Sequence, residues 1–80
     1  MKITLEKNDL AELSVDIPEE HYIELWKITH YVSSIFGLSK KQKEALEYLK
    51  VILNSLSESQ QEILLQELRL TRSDVYGNQN

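Results

Sequence analysis

His21 and His30 are the chain's two imidazoles, and both fall in one stretch of helical pattern. Nine positions at about 100° each put them on opposite faces of that helix, so they do not share a metal ion. His21 with Glu24 supplies half of a metal site, and nothing nearby completes it. The sequence has no cysteine, which excludes a zinc ribbon, an iron–sulfur cluster, a thiol nucleophile and a disulfide. Ser33 and Ser34 follow His30 by three and four positions, but a nucleophile also needs an orienting group behind its base. The acids Glu6, Asp9, Glu12, Asp16, Glu19 and Glu20 crowd the N-terminal segment, as on a solvated polar face. Acid–base chemistry would instead require a cleft that raises the pKa of one carboxyl. Two glycines, neither in a phosphate-cradling pattern, leave no dinucleotide or P-loop motif. Catalysis, a metal and a cofactor are therefore not expected.

The net charge of −4 is unevenly distributed. Residues 1–20 hold six acids against two lysines, residues 21–50 are net positive, and residues 51–80 are net negative. The positive middle is concentrated in Lys40, Lys41 and Lys43, at the start of a predicted helix. Free amides and lysines there can hold a phosphate, although such a run more commonly makes an exposed, solubilising turn.

Farther on, Glu62 to Tyr76 resembles the core of bacterial helix-turn-helix regulators, with Ile63, Leu68, Leu70, Thr71, Val75 and Tyr76 matching the family's pattern. The resemblance implies a nucleic-acid-associated transcriptional regulator, and on that reading the basic residues Lys40, Lys41, Lys43, Arg69 and Arg72 would contact nucleic acid or another anion. It covers about fifteen residues. Leu64 stands where the family has a small residue, Arg69 stands where it has the turn glycine, and the second helix ends by Gly77. The acidic total also opposes an affinity that rests on neutralising phosphates.

Aromatic residues suit a protein partner better. Tyr22, Trp26, Tyr31 and Tyr48 are the candidate anchors, because tryptophan and tyrosine dominate interface hot spots. Tyr22 and Trp26 lie four apart on one helix face, and His30 continues that line. Trp26 could equally fill a core beneath the hairpin.

Several elements must position these residues. Lys2–Glu6 alternates with Ile3 and Leu5 on one face, and Glu12–Ile17 alternates with Leu13, Val15 and Ile17. Period-two alternation reads as two half-buried strands, joined here by a loop of about five residues. The rival reading is one strand followed by a helical turn at Asp9–Leu13.

Pro18 opens a helix, Asp16 and Glu19 have capping-box spacing, and Glu19 and Glu20 meet the positive dipole end. This helix should reach about Phe36 and stop at Gly37. Its apolar set of Tyr22, Ile23, Leu25, Trp26, Ile28, Val32, Ile35 and Phe36 is broad enough for burial on two sides, or for one buried side and one meeting a partner. Ser39 with Gln42 and Ser57 with Gln60 form two capping boxes. They begin helices predicted over about 40–56 and 58–70. The expected fold is α+β, an N-terminal β-hairpin followed by a three-helix bundle, with a mainly α chain holding one short strand as the alternative. Residues 1–76 make one domain, and 77–80 are read as a disordered tail.

A domain of 80 residues buries only about 60% of the surface its unfolded chain exposes. A two-stranded hairpin is marginal alone and keeps unpaired edges. Both points favour a second subunit. No apolar run exceeds three residues, and charges interrupt the N-terminus. Neither a membrane segment nor a secretory signal is expected, and the default location is cytoplasmic.

The leading expectation is a non-enzymatic inhibitor or regulator, a homodimer that binds a protein partner's surface. Besides the nucleic-acid regulator, a second alternative is a protein that sequesters an anionic small ligand, such as a nucleotide, between its subunits.

Overall fold

The computed structural model describes residues 1–7, 9–31 and 37–77, with Tyr31 described through its backbone alone. Two alternating segments form strands β1 (Lys2–Lys7) and β2 (Glu12–Asp16), paired antiparallel as a hairpin. The alternative with a single strand is thereby excluded. Lys2 faces Asp16, Ile3 faces Val15 and Thr4 faces Ser14. The Ile17 amide donates to the Met1 carbonyl at 2.8 Å, which extends the ladder by one rung.

Beyond Thr4 the register shifts, so that Glu6 faces Leu13 and Leu5 is the extra residue of a bulge. Bulges bend a strand and increase its local twist, and the consequence is visible in the burial. Ile3, Leu5 and Ile17, at the base of the hairpin, are buried. Val15 packs at the edge of the core, and Leu13 is 37% exposed. The inward face predicted for β2 is thus a gradient, sealed at Ile17 and open at the tip.

Helix α1 (Glu19–Tyr31) begins directly after Pro18, whose carbonyl accepts from the amides of His21 and Tyr22 at 3.0 Å each. Asp16, predicted to cap this helix, instead lies 3.3 Å from the Met1 ammonium. Leu25 and Ile28 are buried, with Tyr22 beside them, while Ile23 and Trp26 remain exposed. The broad apolar set therefore divides between core and surface. Its members Val32, Ile35 and Phe36, and the predicted extension of the helix to Phe36, lie outside the described residues, as do Ser33 and Ser34.

Helices α2 (Lys40–Asn54) and α3 (Glu58–Leu68) begin with the predicted capping boxes. The Ser39 hydroxyl accepts from the Gln42 amide at 3.2 Å, and the Gln42 side chain accepts from the Ser39 amide at 3.0 Å. The Ser57–Gln60 pair repeats this at 3.3 and 2.9 Å. Each box satisfies two amides that the helix leaves without an internal partner. Gln61 closes the intervening turn by donating to the carbonyls of Leu53 at 2.7 Å and Leu56 at 3.3 Å.

Helix α3 stops at Leu68, two residues short of its predicted end, because Arg69 turns left-handed at φ 58°, ψ 35°. A further helix, α4 (Arg72–Tyr76), comes next, beyond the three helices of the expected bundle and where the helix-turn-helix resemblance implies a second helix. It too has a capping box, formed by Thr71 and Asp74. The fold is α+β, with a hairpin preceding the helices.

The core is one cluster drawn from β1, α1, α2, α3 and α4, with Ile17 after β2, and Val15 of β2 packs against it. Leu49 and Leu53 of α2, Leu64 of α3, Leu25 of α1 and Ile17 after β2 have almost no exposed surface. Helix α1 packs on α2, β1 lies along α3, and α4 lies against α2. Among the described residues, no helix is long and apolar enough to cross a membrane.

Truncating Leu49 or Leu53 to alanine should cost about 2–5 kcal/mol, because the site cannot fully collapse around the lost methyls. Leu13→Ser at the open tip should change stability by no more than about 0.5 kcal/mol. Urea denaturation followed by circular dichroism measures both. Equal losses at Leu13 and Leu53 would contradict the burial gradient along the hairpin.

Candidate functional site

The face of α1 carrying Tyr22, Trp26 and His30 looks across a groove to the C-terminal end of α3. The groove has a volume of about 280 Å³ and is also lined by Thr29, Glu67, Leu68 and Arg69. Helical spacing accounts for the α1 side, since residues four apart stand over one another. The α3 side depends on where that helix ends, because Glu67 and Leu68 are its last residues and Arg69 comes directly after them.

Trp26 and His30 are stacked, with ring centroids 4.1 Å apart and planes 17° from parallel. His30 Nδ1 lies 3.0 Å from the Trp26 carbonyl oxygen and 2.7 Å from the Thr29 hydroxyl. The hydroxyl also donates to the same carbonyl at 2.7 Å. Both contacts of His30 fall on the same ring nitrogen and hold the imidazole against the turn of α1 that carries Trp26. Thr29 is thereby an orienting group for the ring. The imidazole is fixed in place as a flat lid over one side of the indole. Trp26 is 40% exposed even so. The possibility that Trp26 fills the core beneath the hairpin is therefore excluded, since that position is taken by Ile3, Leu5 and Ile17.

The structure brings Tyr22, Trp26 and His30 together and places the other two aromatic candidates elsewhere. Tyr48 is on α2, half-buried, with its ring 4.8 Å from that of His21 and its hydroxyl donating to the Asp16 carbonyl at 3.4 Å. It ties the end of the hairpin to the helices. Tyr31 closes α1, and its side chain lies outside the described residues.

The basic candidates occupy different surfaces. Lys41 lines a second groove, between α1 and α2, together with Glu20, Glu24, Lys27 and Glu44. Lys43 lines a third, between α2 and α4, near Asp74 and Tyr76. Lys40 is exposed beside them at the start of α2. Arg72 is held by Glu62 at 2.8 and 3.0 Å and by the Gln61 side-chain oxygen at 3.0 Å. Only Arg69 reaches the aromatic groove.

The segment resembling a helix-turn-helix does form two helices joined by a three-residue turn. Arg69 takes the left-handed conformation where the family has glycine, and Leu64 is fully buried where the family has a small residue. The second helix is only five residues long and directs Val75 into the core. At 1.5 Å per residue it spans about 7 Å.

Sequence reasoning missed the α3 half of the groove. Glu67 and Leu68 read as ordinary helix positions, and only the mismatch of Arg69 with a turn glycine marked the place. A double-mutant cycle over Trp26→Leu and His30→Ala should give a coupling of about 0.5–1.5 kcal/mol in unfolding free energy, as for other stacked ring pairs. A coupling of zero would show that the stack does not fix the two rings. Comparison of the chain with protein-family models, with curated proteins and with solved structures returns no match.

Proposed function

We propose that this chain is a non-enzymatic interaction protein that regulates or inhibits a protein partner by occupying its surface with the α1–α3 groove. The observation that carries this reading is the Trp26–His30 stack, half-open on the rim of a groove that also contains Tyr22 and Arg69. Large amphipathic rings already fixed in place lose little entropy when a partner covers them, which is what an interface anchor requires. The contacts of His30 Nδ1 with Thr29 and the Trp26 carbonyl hold the ring in its stacked position. The separation of Lys41, Lys43, Arg69 and Arg72 favours a protein partner over a nucleic-acid backbone, which would need converging cations.

Self-association is the second element of the proposal. The exposed Leu10 and Leu13 sit on a hairpin with no third strand among the described residues. Pairing of β2 with its own copy about Ser14 would set Glu12 against Asp16 of the partner subunit, twice. Like charges directly opposite are destabilising, so the contact is assigned to the apolar tip and not to strand pairing.

Affinity capture from a lysate of the source cells should return one discrete protein. Trp26→Ala should weaken its retention at least tenfold with the fold intact, and Val51→Ser, on an exposed part of α2, should leave it unchanged. Capture of nucleic acid that Lys40→Glu, Lys41→Glu and Lys43→Glu together abolish would replace this reading with the regulator alternative. A rise in melting temperature across a nucleotide panel would favour the sequestering alternative. Sedimentation equilibrium should give twice the chain mass of 9.4 kDa, reverting to the single mass in a Leu10→Ser, Leu13→Ser double variant.

A further inference from the structure

Arg69 is the one non-glycine residue with positive φ among the described residues. It occupies a helix stop of the Schellman type. Its amide donates to the Gln66 carbonyl at 3.1 Å, and the Leu70 amide donates to the Leu65 carbonyl at 2.9 Å. Glycine is the usual residue there because a Cβ is strained in the left-handed region. The end of a helix favours a cation, which accounts for the charge of Arg69. It does not account for arginine in a conformation that glycine or asparagine adopts more easily. Strain held at a single residue beside a groove points to use.

The guanidinium supports the same reading. The chain's other arginine, Arg72, is held by Glu62 and Gln61. Arg69 makes no ion pair or side-chain hydrogen bond among the described residues. It lies on the rim of the groove that contains Trp26 and His30.

We propose that the groove takes a partner segment with an apolar side chain laid on the Trp26–His30 pair and a carboxylate held by Arg69. This rests on the protein-partner reading and adds the chemistry of the partner. The guanidinium fork matches a carboxylate through two parallel hydrogen bonds. A phosphate would match the fork as well, but Glu67 shares the rim and the C-terminal carbonyls of α3 add partial negative charge. One negative charge is tolerated there better than two.

Trp26 is the only tryptophan in the chain, so its emission reads this groove alone. The probes are octapeptides of alternating phenylalanine with glutamate, glutamine or lysine, blocked at both ends. A fourth is the glutamine peptide with a free C-terminal carboxylate. The glutamate peptide should shift the emission saturably, and the blocked glutamine and lysine peptides should bind at least tenfold more weakly. Recovery of binding by the fourth peptide assigns the carboxylate to a chain terminus, and its absence assigns it to an acidic side chain.

Arg69→Gly should raise the melting temperature by a few degrees and weaken the glutamate or terminal-carboxylate peptide at least tenfold. Arg69→Lys should keep the charge and lose most of the affinity. The proposal is overturned if no peptide shifts the emission, if the lysine peptide binds as tightly, or if Arg69→Gly binds like the parent chain. Tighter, Arg69-dependent binding of a single-stranded oligonucleotide would also overturn it. Should the captured protein partner be lost with Trp26→Ala and kept with Arg69→Gly, the groove reading stands and the carboxylate assignment falls.

Discussion

The left-handed stop of α3 sets the course of the C-terminal chain. Leu65 and Leu68 are buried in the last turns of the helix, and Leu70 and Val75 are buried just after it. A continuous helix from Glu58 would rotate Leu70 and Val75 about its axis and could not return both to the same core. The left-handed residue at Arg69 reverses the chain, brings the Leu70 amide back to the Leu65 carbonyl, and leaves Thr71 free to cap α4. Helix α4 then covers α2 instead of extending into solvent. In a chain with so little interior, that return adds apolar area which the hairpin and three helices alone would lack. The same turn brings Glu67 and Arg69 opposite Trp26, so one local backbone event shapes both the core and the groove.

Much of this was legible because it is local. Period-two alternation marked both strands, and Ser39, Gln42, Ser57 and Gln60 marked two helix starts to the residue, since a capping box needs only side chains three apart. The same grammar was present in Thr71 and Asp74, but an aspartate in place of a glutamine and the short run to Gly77 hid it. What remained hidden is non-local. The bulge at Leu5 depends on how two strands settle against α3, and no pattern within either strand announces it. Asp16 reads as a cap for α1 by spacing, yet in space it faces the Met1 ammonium. The groove has the same character. Its α1 side was legible as a line of rings, and its α3 side required knowing that two helices distant in sequence meet.

Charge behaves differently from shape in this fold. Three lysines within four residues look like one patch in sequence, but successive helical positions point about 100° apart. Lys41 lines the groove toward α1 along with Glu20, Glu24 and Glu44, while Lys43 lines the one toward α4. The local positive charge is divided between two grooves, each with acids of its own. Apolar exposure obeys the same logic. Val51 and Ile23 are each exposed on a different helix, and scattered single apolar residues are normal on a protein surface. Trp26 differs because its surroundings are organised, with a ring stacked on it and a groove beside it.

Two physical demands meet at Arg69, and they pull apart. The helix stop asks for a residue that tolerates positive φ, which favours glycine. The groove faces the stop, and glycine would leave that rim with Glu67 as its only charge. Arginine satisfies the second demand at the expense of the first. The chain accommodates the strain because the turn is held from both sides, by paired carbonyls in α3 and by buried Leu70 and Val75. A strained residue persists only where its surroundings over-determine it. Here those surroundings are the buried Leu64, Leu65, Leu68, Leu70 and Val75, so the stability of the core is what permits an arginine, in place of glycine, to face the exposed tryptophan.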